Sequence, residues 1–353
     1  MARPRRAPVI HLVGSVPLAD AESVFRTVAA KAGPHLARLP DGETGKRINW
    51  IRVLQEMLAA HPAMEVDTAT PPLKWVQWDG KVLREISLVK FKDGVDPSRV
   101  AFDTGYADAA IASFAVFDRL QREGAIPRGV KFQICIPTPL APTYNYVSPR
   151  AQLQFLPVIE AALVKDVARI AASLPNERIA VQWDVCQEVL MWENWYPSRR
   201  PDYKAEIWGV LTRIGAAVPR AIELGYHLCY GSPQDQHIVQ PKDTGVMVEM
   251  SNGLFARAMR PIEFLHLPVP KDRTDDGYFA PLAELKLPEG TDLYLGLIHY
   301  RDEDGDRARL ARALAHAPVA GVGSECGWGR TDPKRVPELL DSHVRAIGQF
   351  ARA

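Results

Sequence analysis

The strongest constraint on this chain is an alternation: short apolar runs of strand length recur, each followed by a stretch with helical spacing. The runs lie at 9–16, 130–136, 179–185, 226–230, 246–250, 293–299 and 321–324, with a shorter one at 35–39. Helix-like stretches include 149–173, 203–224, 306–316 and the terminal 333–353. Strands that are apolar nearly throughout are buried on both faces, as in a parallel sheet covered by helices. Eight of them predict an α/β fold closed as a (β/α)8, TIM-type barrel. No Gly-rich dinucleotide fingerprint follows any run, which argues against a doubly wound open sheet.

Two segments break the alternation and read as insertions, at about 61–104 and 253–290. In the first, Trp75-Val76-Gln77-Trp78-Asp79-Gly80 precedes a second alternating run, and Asp-Gly is a strong hairpin signal. The second carries Pro268, Pro270, Pro281 and Asp275-Asp276-Gly277 and reads as a long ordered loop, the kind that often serves as a lid or binding element. With no repeat, low-complexity tract or linker, the chain reads as one barrel domain, 1–353.

Charge is balanced, 43 Lys+Arg against 42 Asp+Glu, which gives no reason to expect nucleic acid or a membrane as partner. The one basic cluster, Arg3 to Arg6, reads as a solvated tail. No window approaches the ~20 apolar residues of a membrane span. The run at 9–13 is too short for the core of a signal peptide. Cys135, Cys186, Cys229 and Cys326 are too few for a disulfide framework in a chain this long, so the expectation is a reducing, cytoplasmic setting. There each cysteine answers to packing, metal binding or catalysis; Cys135 and Cys186, inside apolar runs, read as small buried hydrophobes. Acidic and basic side chains are mixed throughout, so no partner surface stands out and a homo-oligomer is compatible with the pattern.

Barrels of this type place their chemistry at the C-terminal ends of the strands. Here those ends are dense in ionisable groups. Gly14-Ser15-Val16-Pro17 closes the first run, Asp41-Gly42-Glu43 follows the second, and Gln182-Trp183-Asp184 ends the fourth, with Gln187-Glu188 just beyond. The seventh ends in His299-Tyr300-Arg301, and Glu325-Cys326-Gly327-Trp328-Gly329-Arg330 follows the eighth. His227 and Cys229 are two apart, which on a strand points both to one face and makes half of a tetrahedral zinc site. Cys326, with Glu249 at the end of the run 246–250, completes a set of four N, S and O donors once the barrel closes. Asn252 and His237 are alternatives to Glu249. Neither Ser15 nor Ser251 sits in a Gly-x-Ser-x-Gly elbow, which disfavours a serine nucleophile.

With these residues in this order, the chain resembles the catalytic barrel of the cobalamin-independent methionine synthase family, as a single-barrel member of the superfamily that includes uroporphyrinogen decarboxylase. In that family a His-x-Cys, a Glu from the next strand and a Cys near the last strand hold a zinc ion. The resemblance implies His227, Cys229, Glu249 and Cys326 as the Zn2+ ligands. Gly14-Ser15-Val16-Pro17 resembles the family's Gly-Ser-Phe-Pro turn, Asp41-Gly42-Glu43 its Gly-Glu-Pro segment, and Gln182-Trp183-Asp184 its Gln-Ile-Asp-Glu-Pro segment. Ser15, Glu43 and Asp184 are then implied to bind the amino and carboxylate ends of an amino-acid-like thiol. The likeness stops short of folate: Asp184-Val185-Cys186 replaces Asp-Glu-Pro, and no tryptophan follows the third run in Pro137-Thr138-Pro139-Leu140-Ala141-Pro142. Trp75, Trp78, Trp192 and Trp195 offer aromatic surface for a different alkyl donor.

The expected function is therefore a zinc-dependent alkyl, most simply methyl, transferase that takes a small-molecule thiol and an alkyl donor. Alkyl transfer needs a proton for the leaving group; His299 and Asp184 are the catalytic candidates, and Arg330 and Arg301 the groups to neutralise an acidic substrate. One alternative is a lyase or decarboxylase of the same superfamily, with Asp41, Glu43, Asp184 and His299 as acid and base on a small or aromatic substrate. The other is a non-enzymatic barrel used for binding. Against it, structural zinc sites draw on close Cys-x-x-Cys knuckles rather than on three strands around a mouth.

Overall fold

The computed structural model describes residues 8–197, 199–233 and 237–350; the cluster Arg3 to Arg6 and the end of the expected terminal helix lie outside them. Strands follow in the order Val9–Ile10 (β1), Arg38–Pro40 (β2), Met64–Val66 (β3), Leu73–Val76 (β4), Val82–Ile86 (β5), Val89–Phe91 (β6), Lys131–Pro137 (β7), Ile179–Val185 (β8), Glu223–Leu228 (β9), Phe264–Pro268 (β10), Asp292–Gly296 (β11) and Val319–Val322 (β12). Eight form one sheet, ordered β1-β12-β11-β10-β9-β8-β7-β2, in which every pairing is parallel. A parallel bridge between Ile10 and Leu36 joins its two edges, so the sheet curls back on itself as in a TIM-type barrel. Helices Ala21–Ala32, Tyr106–Arg122, Gln152–Ser173, Tyr203–Ala217, Gly245–Arg257, Glu303–His316 and Val336–Phe350 pack around the outside, each against a neighbour. Among the described residues no helix is long and apolar enough to cross a membrane.

Period-two burial sorts the strand side chains. On β7 to β10, Ile134, Ile136, Val181, Trp183, Val185, Tyr226, Leu265 and Leu267 join the apolar layer beneath the helices. The alternate positions hold Gln133, Cys135, Gln182, Asp184, His227 and His266, all buried in the lumen. The N-terminal end of the lumen is plugged by Arg38, 4% exposed. Its guanidinium donates to Glu223 at 2.7 Å and to the Tyr294 hydroxyl at 3.1 Å, and lies 4.0 Å over the Phe264 ring. Lys131 adds a second cation 3.0 Å from Glu223, so the buried charge is paired.

One expected strand is a helix. The run 246–250 falls in Gly245–Arg257, whose buried Met247, Met250, Ser251 and Leu254 recur at i, i+3, i+4 and i+7, a helical stripe. Its place in the sheet is taken by β10, which lies inside the segment expected to be a long loop. Between β2 and β7 the chain makes two antiparallel pairs, β3 with β6 and β4 with β5. Trp195 Nε1 donates to the Val76 carbonyl at 2.7 Å, and Trp75 Nε1 to Asn145 Oδ1 at 2.6 Å. Both bonds reach segments that follow β7 and β8, so the β4–β5 hairpin is fastened on the side of the C-terminal strand ends.

Candidate functional site

The ends of β9 and β12 bring His227, Cys229 and Cys326 together, one ligand atom of each within 4.8 Å of the others. Both cysteines are free, with sulfurs 3.6 Å apart, far beyond the ~2.05 Å of a disulfide. His227 is 2% exposed. Its Nδ1 lies 2.7 Å from Nδ1 of His266, so one of the two donates and the other accepts, while its Nε2 has no hydrogen-bond partner. Burial brings the His227 pKa down to about 4, leaving the neutral imidazole that binds metals. The Cys229 sulfur beside it, and burial, push the Cys326 thiol up. Arg330 opposes this: its Nη2 donates to Cys326 Sγ at 3.4 Å, and its Nε is held by the Ser232 carbonyl at 2.7 Å. A buried ring nitrogen left without a partner is costly unless something occupies it. One nitrogen and two sulfur donors around it fit a tetrahedral zinc ion with a position left for substrate.

The structure does not bring Glu249 to this cluster. On its helix the side chain is 48% exposed, accepting from Lys204 Nζ at 2.6 Å and from Trp192 Nε1 at 2.9 Å. The two alternatives are engaged elsewhere as well: Asn252 Nδ2 donates to the Glu284 carbonyl, and His237 pairs with Glu325. What stands beside His227 instead is His266, its direct register partner on β10. The signal for it was a five-residue apolar run, Phe264-Leu265-His266-Leu267-Pro268, masked by the surrounding prolines. His299 follows β11 but is not among the cavity-lining residues: its Nε2 donates to the Val269 carbonyl at 2.9 Å, and burial brings its pKa down to about 4. Arg301 is on the outer surface, paired with Glu338 at 2.8 Å.

The cluster opens onto a cavity of about 570 Å³, whose wall also carries Ser15, Glu43, Asp184, Cys186 and Arg330. Cys186 is thus buried, as expected, yet faces this space. Glu43 takes a left-handed conformation (φ 48°) directly after Gly42 (φ 77°). Asp41 holds that turn, accepting from the Glu43 amide at 2.9 Å, from Arg47 at 2.5 Å and from Ser113 at 2.7 Å. Gly14 makes room for the carboxyl: a Cβ there would lie 2.9 Å from Glu43 Oε2. Burial, opposed by Arg47, raises the Glu43 pKa to about 7. Burial and the neighbouring Glu43 push Asp184 well above the usual carboxylate range, although Asp184 Oδ1 accepts from Gln182 Nε2 at 2.8 Å. Ser15 Oγ accepts from the Gly329 amide at 3.2 Å, which ties the loop after β1 to the loop after β12.

No protein-family model matches the chain, and no curated protein does. Solved structures do. A putative vitamin-B12-independent methionine synthase from Listeria monocytogenes is similar over 99% of each chain, with TM-score 0.59 and 14% identity. A B12-independent methionine synthase from Shewanella sp. W3-18-1, in complex with selenomethionine, matches over 98% of each chain at TM-score 0.59 and 12% identity. A methyltransferase from Methanosarcina mazei matches over 99% of this chain and 95% of its own at TM-score 0.56 and 12% identity. The likeness is one of fold. It spans essentially the whole of those chains.

Proposed function

We propose that the cavity is the active site of a zinc-dependent methyl (alkyl) transferase acting on a thiol, carried on a single barrel domain. The observation that carries this reading is the orphaned Nε2 of His227 beside two free thiols on the wall of a cavity at the C-terminal strand ends. His227, Cys229 and Cys326 would hold the ion, and His266 would orient His227 through its other ring nitrogen. When bound, zinc keeps a substrate thiol deprotonated near neutral pH, the form that attacks an alkyl group. The fold neighbour from Shewanella sp. W3-18-1 is described in complex with selenomethionine, which fits an amino-acid thiol as the acceptor here.

The cavity residues then divide the work. Glu43, poised near neutrality, is set to ionise against a substrate ammonium, whose positive charge supplies what burial takes away. Ser15 and Arg330 offer a hydroxyl and a guanidinium to the carboxylate of the same substrate. Asp184, whose hold on its proton is strengthened by burial and by Glu43, is the carboxyl placed to protonate a leaving group. His299 cannot share that task from its place on the Val269 carbonyl, and the lyase reading loses one of its acid/base groups for the same reason.

The test is elemental analysis of freshly purified protein beside Cys229→Ser and Cys326→Ser. About one zinc per chain is expected, lost in both variants together with thiol-dependent alkyl transfer. Zinc-free native protein, or full activity without metal, would overturn the reading.

A further inference from the structure

Another part of the cavity wall has no role in that chemistry. The β4–β5 hairpin contributes Trp75 and Arg84, helix Leu140–Tyr146 contributes Asn145 and Tyr146, and Arg52 opens helix Arg52–Ala60. Asn145 is 0% exposed and Tyr146 2%. The Trp75 indole N–H occupies Asn145 Oδ1 at 2.6 Å, which leaves the amide's nitrogen as its remaining polar atom. That Nδ2 and the Tyr146 hydroxyl are both buried without a hydrogen-bond partner. The Arg84 guanidinium lies 4.9 Å from the centre of the Trp75 ring and is in no ion pair among the described residues. Arg52 reaches only Glu56, at 3.9 Å across an exposed helix turn.

What these residues hold in reserve is of one kind. An amide N–H, a phenol that burial keeps protonated, and two guanidiniums converge here, Asn145 and Arg84 both facing the Tyr146 hydroxyl, with no carboxylate among them. The chain as a whole is balanced at 43 cations and 42 anions, so the concentration is local. The wall is also rigidly mounted, with Trp195 on the Val76 carbonyl at 2.7 Å and Gln77 Nε2 on the His237 carbonyl at 3.1 Å. Buried donors without acceptors, flanked by positive charge, match an acceptor-rich anion. The thiol substrate's own charged ends are already matched by Glu43, Ser15 and Arg330, so the anion belongs to the other reactant.

We propose that Arg84, Tyr146, Asn145 and Arg52 form a subsite for an anionic end group, carboxylate or phosphate, of the alkyl donor. The proposal rests on reading the cavity as an alkyltransferase active site. It is tested by calorimetric titration of the purified full-length protein, without thiol, using two probes: inorganic phosphate and glutarate. Saturable binding of at least one probe is expected, weakened about tenfold or more by Arg84→Gln and severalfold by Tyr146→Phe. Arg301→Gln, on the outer surface, should bind as the parent does. Binding of phosphate alone identifies a phosphate-bearing donor, and binding of glutarate alone a carboxylate. No saturable binding of either probe overturns the proposal, and so does equal binding by the parent and by folded Arg84→Gln and Tyr146→Phe. Zinc content on the same samples separates this result from the metal reading. Zinc-free protein that binds the probes through Arg84 retains the subsite and loses the thiolate chemistry; zinc-replete protein that ignores them does the reverse.

Discussion

Glu188 offers a quantitative test of how this structure handles buried charge. It lies wholly buried on helix Gln187–Trp192, one oxygen accepting from the Thr138 hydroxyl and the other without a partner. Burial lifts its pKa from the ordinary 4.5 to about 7. Between those values the folded protein keeps a proton that the unfolded chain has released. Stability therefore falls as pH rises from about 4.5 to about 7, and the loss is complete above that. At about 1.4 kcal/mol per pH unit across that interval, the contribution is about 3 kcal/mol, of which some 2–3 kcal/mol falls between pH 5 and pH 8. Glu188→Gln keeps the shape and removes the ionisation. Urea unfolding of both proteins at pH 5 and pH 8 should show the variant gaining about 2–3 kcal/mol on the parent over that rise. The other raised carboxyls, Glu43, Asp166, Asp184, Glu193 and Asp306, are present in both proteins and cancel in the difference. Curves that shift in parallel would refute the assignment of a buried, proton-bearing Glu188.

Three further outcomes follow from contacts around the mouth. His266→Ala leaves His227 Nδ1 without its 2.7 Å partner and should weaken zinc binding by about 10–100-fold in chelator competition; unchanged affinity would mean that something else orients the imidazole. Glu249→Ala removes an exposed ion pair with Lys204 worth at most about 1 kcal/mol and should leave zinc content intact, whereas loss of metal would reinstate it as a ligand. Gly14→Ala puts a Cβ 2.9 Å from Glu43 Oε2. Displacing that carboxyl should raise the KM for an amino-acid thiol about tenfold with little change in Tm, and an unaltered KM would remove Glu43 from substrate binding.

Much of the scaffold was legible because it depends on local pattern. Ile179–Val185 is apolar enough to be read as a strand from its own residues, and the two-residue spacing of His227 and Cys229 fixes their common face whatever surrounds them. The run Val246-Met247-Val248-Glu249-Met250 misleads because a short apolar stretch satisfies either period, and only its continuation to Leu254 reveals the helical stripe. Misplacing that strand cost the reading both Glu249 and His266, since β10 was hidden among prolines. The hairpin was visible in Asp79-Gly80, but its docking was not. That Trp195 would reach the Val76 carbonyl, or Trp75 the amide of Asn145, depends on segments far apart in sequence. His299 shows the same limit: sequence places it after a strand, but only packing decides that its ring turns to the Val269 carbonyl.

The plug of Arg38, Glu223 and Tyr294 has a kinetic consequence. Among the described residues the chamber is stoppered at its base and opens by a doorway at the C-terminal strand ends, so what enters there leaves the way it came. On the proposed reading the thiol stands at His227 and Cys326, while the donor's charged end is gripped by the hairpin beside that doorway. Traffic then has an order: thiol in first, donor second, spent donor out, and the alkylated product last.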